Sequence, residues 1–284
     1  MANIALIKVL RERTQAGMMD CKKALEECND DVDKACDWLR EKGIVKAAKK
    51  ADRIAAEGLT TVKVVGNKAV ICEVNSETDF VAKSDPFVEL VDKVADTLLA
   101  GNFASFDDAK AAVEPLFVDA TVKLGEKLSF RRYEIVEGDN LGSYIHGHGR
   151  ISVVVVLKEA NEELAHGLAM HIAANSPKYV NKEAIPAEVV AAERAVQLEA
   201  CKNDEKLKNK PEAALSHIID GKVNKVLSET TLSEQAYLLE PDKTVKQAVA
   251  DAHNEVLSFI RYQVGEGLEK RVDDFAAEVM AQAK

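Results

Sequence analysis

The sequence predicts an α+β fold with a duplicated core, in which antiparallel hairpins are each followed by a helix. Two hairpin signals, Gly66-Asn67 and Gly147-His148-Gly149, separate apolar runs that are typical of strands. Two later segments, 128–138 and 257–267, share the letters Leu-Ser-Phe and, one position further on, Arg-Tyr. A repeated order of hairpin, helix and related strand indicates two copies of one α/β unit.

The N-terminal residues 1–43 predict three short helices, which cover approximately residues 4–13, 18–28 and 32–42. We expect Gly43 to end the third helix, because glycine is common just beyond a helix C-terminus. The segment 45–57 is rich in Lys and Ala and predicts a helical linker.

Met18 and Met19 follow Gly17 at the start of the second helix, and this arrangement resembles the loop of a ubiquitin-associated three-helix domain. Two adjacent methionines on one short helix cannot both face inward easily. We therefore expect at least one of them to be displayed at the surface. The alternative is that both fill the core, as methionine often does.

The first α/β unit should consist of strands 59–65 and 68–74, an amphipathic helix that opens near Ser84, and a strand 128–136. Two short helices, 107–113 and 118–127, should lie before that last strand. The apolar face of the amphipathic helix comprises Phe87, Leu90, Val91, Val94 and Leu98. The second unit should contain the hairpin of 140–158, with a central strand 153–157, and a helix 162–174.

Residues 186–229 interrupt the second unit and predict an arm of two antiparallel helices. Each helix carries one narrow apolar seam and is otherwise polar, a pattern typical of a coiled coil. The predicted seams are Val189, Ala192, Val196 and Ala200 on the first helix and Leu215, Ile219, Val223 and Val226 on the second. A C-terminal helix is expected over 273–283.

Composition limits the function. The net charge is −10 and aromatic residues make up 5% of the chain, so direct nucleic-acid binding is disfavoured. No apolar run approaches the roughly 20 residues of a membrane span, and no signal peptide is evident. The five cysteines are scattered and form no CxxC pair, which favours a reducing, cytoplasmic location.

The stretch 75–83, Asn-Ser-Glu-Thr-Asp-Phe-Val-Ala-Lys, is the most informative part of the chain. It places an aromatic residue, Phe80, next to Asp79 in what should be a surface connection, where binding residues concentrate. The alternative interpretation is that Phe80 packs into the local core while Thr78 or Asp79 caps a helix.

The chain resembles the bacterial elongation factor Ts family along its whole length, and three segments carry the resemblance. They are Leu10-Arg11-Glu12-Arg13-Thr14, the run from Gly17 to Leu25, and Thr78-Asp79-Phe80-Val81. The resemblance implies a guanine-nucleotide exchange factor that is not an enzyme, needs no cofactor and has the translational GTPase EF-Tu as its partner.

Residue roles follow from the same resemblance. Thr78, Asp79, Phe80 and Val81 would enter the GTPase domain and displace its Mg²⁺. His146, with Gly147, would lie beside the GTPase phosphate loop, and Met18 and Met19 would contact the partner. The role of His148 is left open, since the family varies at this turn.

Two other hypotheses stay in view. A metal-dependent hydrolase could use His146 and His148 with Asp79 or Glu77, although the chain contains no HExxH motif or cysteine ligand set. A scaffold could self-associate through the coiled-coil arm. The predicted domains are 1–54 for the three-helix domain and linker, 55–139 for the first core subdomain, 140–185 with 230–267 for the second, 186–229 for the arm and 268–284 for a C-terminal helical module.

Overall fold

A computed structural model describes residues 3–50, 52–204, 207 and 211–269. The N-terminal unit contains three helices, α1 (Ile4–Thr14), α2 (Met18–Glu27) and α3 (Val32–Lys49). They enclose a small core of their own, built on Leu10, Ala16, Cys21, Ala24, Leu25, Ala35 and Leu39. The Asn3 side chain caps α1 by accepting a hydrogen bond from the Ala5 N–H group.

The prediction that Gly43 ends the third helix is wrong, because α3 continues through it to Lys49. Gly43 is instead a contact point with a later helix: a Cβ atom there would lie 2.5 Å from Val122 Cγ2. The close approach of the two helices explains the glycine. The helical linker predicted over 45–57 is therefore helical only in its first part, and the first strand begins at Glu57.

The first sheet is antiparallel with the order β1 (Glu57–Val65), β2 (Lys68–Ser76), β3 (Ser129–Glu137). Between β2 and β3 lie α4 (Asp79–Ala82), α5 (Asp85–Ala100) and α6 (Phe106–Leu124). The two short helices expected over 107–127 are a single helix, α6, which continues through Pro115. Its buried residues Val113, Phe117 and Ala120 pack on both sides of the proline, so core packing outweighs the lost hydrogen bond.

The second sheet repeats this arrangement with β4 (Asn140–His146), β5 (Ile151–Leu157) and β8 (Val256–Gln263) in the order β4-β5-β8. In each sheet the third strand pairs with the second strand of the hairpin, and the helix α7 (Glu162–Asn175) follows the second hairpin as α5 follows the first. Phe130 of β3 lies opposite Val74, and Phe259 of β8 lies opposite Val155. The shared strand order of the two sheets supports the duplication.

The two sheets pack face to face, and their helices lie on the outer faces. Val70, Cys72 and Val74 of β2 belong to the core beneath α5 and α6, whereas the alternate residues Ala69 and Ile71 contact Val154 and Tyr262 of the second sheet. A buried hydrogen bond of 2.9 Å between the Ser152 and Thr60 hydroxyl groups crosses the same interface.

Three further elements of the second unit were not predicted: β6 (Ala236–Tyr237), β7 (Glu240–Thr244) and α10 (Val245–Asp251). They are short, and β7 is polar. The start of α10 nevertheless has a recognisable signal, because Thr244 and Gln247 form a capping box.

The arm consists of α8 (Ala187–Asn203) and α9 (Glu212–Glu229), which share a core around Cys201, Ile219, Val223 and Leu227. The predicted seam of α8 is wrong beyond Val189, because Val196 is 61% exposed while Cys201 is fully buried. Glu193 and Gln197 occupy the intervening seam positions and hydrogen-bond to each other at 2.7 Å. Because polar residues occupy part of the interface between α8 and α9, the sequence of α8 does not show this interface as an apolar repeat. The predicted C-terminal helix lies outside the described residues.

His171 of α7 fixes the β6–β7 hairpin to the core. The ring is fully buried, and its Nδ1 accepts the Leu238 N–H group at 3.1 Å, so Nε2 carries the proton and donates to Gln235 Oε1 at 2.8 Å. Burial lowers the pKa of His171, although the Gln235 hydrogen bond acts in the opposite direction. The fold therefore prefers the neutral ring.

This preference predicts a pH-dependent stability. The folded pKa lies below the unfolded value of about 6.5, so the contribution of His171 is complete above that pH and is lost as pH falls through the folded pKa. His171→Gln should cost about 1–3 kcal/mol at neutral pH, because it disturbs buried hydrogen bonds. The difference in unfolding free energy between wild type and variant should shrink below about pH 6.5.

Urea denaturation at several pH values measures that difference. His166→Gln is the matched control, since His166 is exposed on the same helix. A gap between wild type and His171→Gln that stays constant from neutral to acidic pH would contradict the prediction.

Candidate functional site

Phe80 projects from the surface on a single helical turn. Its side chain is 84% exposed, whereas Ala82 two residues later is buried and Val81 packs against the first core. The alternative in which Phe80 enters the core is therefore wrong. The helix-capping part of that alternative is confirmed, because Thr78 Oγ1 accepts the Val81 N–H group at 3.3 Å. The predicted connection thus contains a short helix, α4.

Asp79 opens α4 and forms an ion pair with Lys83 at 2.6 Å. The Lys83 ammonium group donates to the carboxylate and lowers the pKa of Asp79 below its ordinary value. Asp79 is therefore ionised at neutral pH, and a cation from its own helical turn lies beside it. Sequence reasoning did not single out Lys83, although the spacing of four residues is the signal for such a pair.

The turn between β4 and β5 is built from three successive left-handed residues: Gly147 (φ 58°), His148 (φ 54°) and Gly149 (φ 88°). Gly149 fixes the turn against β1, since its carbonyl accepts both the N–H group and the hydroxyl of Thr60 at 2.7 and 3.0 Å. A Cβ atom on Gly149 would lie 2.9 Å from the Thr60 carbonyl oxygen, so only glycine fits without displacing β1.

A cleft of about 740 Å³ separates α4 from this turn. Asp79, Ala82 and Lys83 line one side of the cleft, and Gly147 and His148 line the other. An ion pair between Arg150 and Glu57 at 2.7 Å lies in its wall, where Leu59 and Val88 provide apolar surface. Two segments that are about 70 residues apart in the sequence therefore share one surface recess.

His146 does not line this cleft. It is exposed at the end of β4, and its Nδ1 lies 3.2 Å from Tyr144 Oη. Both side chains border a separate pocket of about 340 Å³ together with Met170 and Arg261. Because the left-handed turn reverses the chain immediately after His146, His148 is the histidine beside α4.

Met18 and Met19 are 58% and 72% exposed at the start of α2. The prediction that at least one of them is displayed is confirmed, and the alternative in which both fill the core is wrong. They belong to the N-terminal unit and do not line the cleft beside α4. Any partner that contacts both Met19 and Phe80 must therefore extend across two surfaces.

The geometry gives no support to metal or thiol chemistry. Within the described ranges, no group of three or more His, Cys, Asp or Glu side chains is arranged to bind a metal ion. Burial raises the pKa of the Cys72 thiol to about 12, so this cysteine is not a thiolate nucleophile at neutral pH. Among the helices described, none is long and apolar enough to cross a membrane.

The fold and the site define a class of protein: an α+β protein with two equivalent antiparallel sheets that presents an aromatic side chain beside a surface cleft. Residues 77–266 match the family described as elongation factor TS. The chain is also 49% identical, over a 288-residue alignment, to elongation factor Ts of Acholeplasma laidlawii (strain PG-8A), and the alignment covers 98% of this chain and 97% of that relative. The chain belongs to the elongation factor Ts family, which confirms the resemblance.

The contrast between two phenylalanines on neighbouring helices provides a stability test of the site. Phe87 of α5 is fully buried, so Phe87→Ala should cost about 3–5 kcal/mol. Phe80→Ala should change the free energy of unfolding by less than about 0.5 kcal/mol, since Phe80 is exposed. Thermal and urea unfolding of the two variants measure both values. Equal losses in the two variants would place Phe80 in the core.

Proposed function

We propose that this protein is a translation elongation factor that binds EF-Tu·GDP and promotes GDP release, so that GTP can bind. Membership of the elongation factor Ts family supports the proposal. The observation that carries it is the 84% exposure of Phe80 on a capped helical turn. Aromatic side chains displayed in this way are typical anchors of protein interfaces.

In the proposed mechanism Phe80 is inserted into the GTPase domain, Asp79 accompanies it, and Thr78 and Val81 fix the turn from which they project. Mg²⁺ in such sites keeps several waters and few protein ligands, so it is sensitive to small displacements of the surrounding loops. The metal belongs to the partner. Its displacement would weaken the grip on the nucleotide phosphates, to which Mg²⁺ and backbone N–H groups contribute.

In this proposal, the release of GDP from the partner requires no covalent step and no cofactor in this chain. A protein that binds the nucleotide-free GTPase more tightly than the loaded one must weaken nucleotide binding by the same factor, because linkage is reciprocal. We accordingly assign the chain a binding role and not an enzymatic one.

The second contact in this proposal is the end of β4, where His146 and Gly147 would lie beside the GTPase phosphate loop. The cleft between α4 and the turn supports the Gly147 part of this arrangement, since Gly147 lines the cleft and a partner element of modest size can enter between Lys83 and His148. His146 would contact the partner outside this cleft, beside the separate pocket that it borders with Tyr144.

The N-terminal and arm regions receive more general roles. We infer that residues 1–54 form a ubiquitin-associated-like domain and linker whose Met18 and Met19 make adaptable contacts with EF-Tu. The core subdomains would be 55–139 and 140–185 with 230–267. Residues 186–229 would form a coiled-coil arm available for self-association, and 268–284 a C-terminal module. The five cysteines, all in described positions, carry free thiols, which suits work in the reducing cytoplasm.

Exchange activity tests the proposal directly. Phe80→Ala should lower the rate constant for release of a fluorescent GDP analogue from EF-Tu by about tenfold or more, because a buried aromatic anchor contributes about 2 kcal/mol or more to an interface. Stopped-flow fluorescence measures the rate. Val65→Ala is the control, since Val65 is 62% exposed on the hairpin end away from α4. Wild-type exchange by Phe80→Ala would disprove the wedge.

The Mg²⁺ step makes a separate prediction. A chelator should accelerate GDP release from EF-Tu alone, and it should reduce the additional acceleration that this protein provides, because the same metal cannot be displaced twice. His146→Ala should lower exchange less than Phe80→Ala, since it would act at the phosphate loop. A stimulation factor that does not change when Mg²⁺ is removed would exclude metal displacement as the mechanism.

A further inference from the structure

The carboxylate of Glu126 lies directly behind the turn that carries Phe80. Its Oε2 accepts the N–H groups of Glu77 and Thr78 at 3.1 and 3.0 Å, and its Oε1 accepts the Thr78 hydroxyl at 2.6 Å. These donors belong to the two residues that precede α4. One side chain from the loop between α6 and β3 therefore accepts hydrogen bonds from both residues that lead into the helix.

A second carboxylate makes the connection reciprocal. Glu77 accepts the Lys127 N–H group at 2.6 Å, so each of the two loops places a carboxylate on the backbone of the other. Arg53, between α3 and β1, donates to Glu77 at 3.1 Å, and the Lys127 ammonium group donates to the Arg53 carbonyl at 2.7 Å. Although burial opposes ionisation, the Lys127 and Arg53 donors outweigh it and lower the pKa of Glu77.

The Thr78 hydroxyl connects Glu126 to α4. It donates its only proton to Glu126, which leaves its lone pairs free to accept the Val81 N–H group. An isolated turn of four residues is not stable in water, because helix nucleation is unfavourable. The direction in which α4 presents Phe80 therefore depends on this cap and on the group that orients it.

We propose that Glu126 is a positioning residue for nucleotide exchange: it holds the Thr78 cap so that α4, and Phe80 with it, is ordered before the partner binds. This inference rests on the proposed exchange function. If the turn had to become ordered during binding, the entropy cost would weaken the affinity of this protein for its partner. Fixing the backbone of one residue corresponds to about a tenfold change in an equilibrium constant.

Three variants separate this role from a general effect on folding. Glu126→Ala removes the acceptor, and Thr78→Val removes the hydroxyl with almost no change of shape. Glu126→Gln is the conservative replacement, since its carbonyl oxygen can accept the backbone N–H groups while its amide donates to the Thr78 oxygen. Glu114→Ala is the control, because Glu114 is exposed on α6, the helix that precedes Glu126.

Two measurements are needed for each full-length variant. Amide hydrogen exchange in the isolated protein reports the order of α4 through the N–H groups of Val81, Ala82 and Lys83, which bond within the turn. Stopped-flow release of a fluorescent GDP analogue from EF-Tu reports function. We expect Glu126→Ala and Thr78→Val to show about tenfold faster amide exchange in α4 and about tenfold slower GDP release. Glu126→Gln should recover most of both losses, and Glu114→Ala should match wild type.

Several results would overturn the proposal. Unchanged protection of α4 in Glu126→Ala would show that the turn is ordered without the carboxylate. Faster amide exchange with wild-type GDP release would show that the order of α4 is irrelevant to function. A loss of protection throughout the chain in both Glu126→Ala and Thr78→Val would indicate a purely structural role. Two references separate the levels of the argument: if the wild-type protein does not accelerate GDP release, the proposed function fails, and if Phe80→Ala retains exchange, only the wedge role fails. In both cases the hydrogen exchange of the isolated variants still tests the role of Glu126 in ordering α4.

Discussion

A buried carboxylate at the centre of the first sheet fixes the position of the two sheets relative to each other. Glu73 of β2 is fully buried and accepts hydrogen bonds from Arg131 at 2.8 Å, from Arg132 Nε at 2.6 Å and from the Gly265 N–H group at 2.8 Å. An isolated buried charge costs several kcal/mol, so it persists only where donors surround it. These donors come from β3 and from the second residue after β8. Only the assembled pair of sheets can therefore satisfy this carboxylate.

The same constraint determines the geometry of the candidate site. Three residues separate Glu73 from Glu77, where the chain leaves β2 for α4, so the sheet that surrounds the carboxylate also places the start of the turn. The opposite wall of the cleft belongs to the second sheet, whose β4–β5 turn is bonded to Thr60 of β1. The width of the recess between α4 and His148 therefore depends on how the two sheets pack against each other.

Local patterns were sufficient to predict much of the fold and part of the site. The two hairpins, the amphipathic helix α5 and the repeated strand could be inferred because alternation and helical period reflect which side chains are buried. The aromatic residue in a polar connection left both display and core packing of Phe80 open, and the resemblance to the elongation factor Ts family favoured its display. What could not be inferred depends on tertiary contacts: Gly43 lies inside a helix because α6 approaches it, and Glu193 and Gln197 conceal the seam of the arm. Glu126 was missed because its partners are about 50 residues away.

Rigid presentation explains why such a small element can be effective. In the proposed mechanism, a wedge that is ordered before it binds would lose little conformational entropy, so more of its contact energy would be available to favour the nucleotide-free partner. α4 is too short to supply that rigidity itself. Two partly buried carboxylates, Glu126 and Glu77, fix the residues at the start of the turn, and the exposed Lys83 forms an ion pair with Asp79 from its end. Phe80 is left without a core to pack against, whereas the Thr78 hydroxyl and the carboxylates of Glu77, Asp79 and Glu126 at its base all have hydrogen-bond partners.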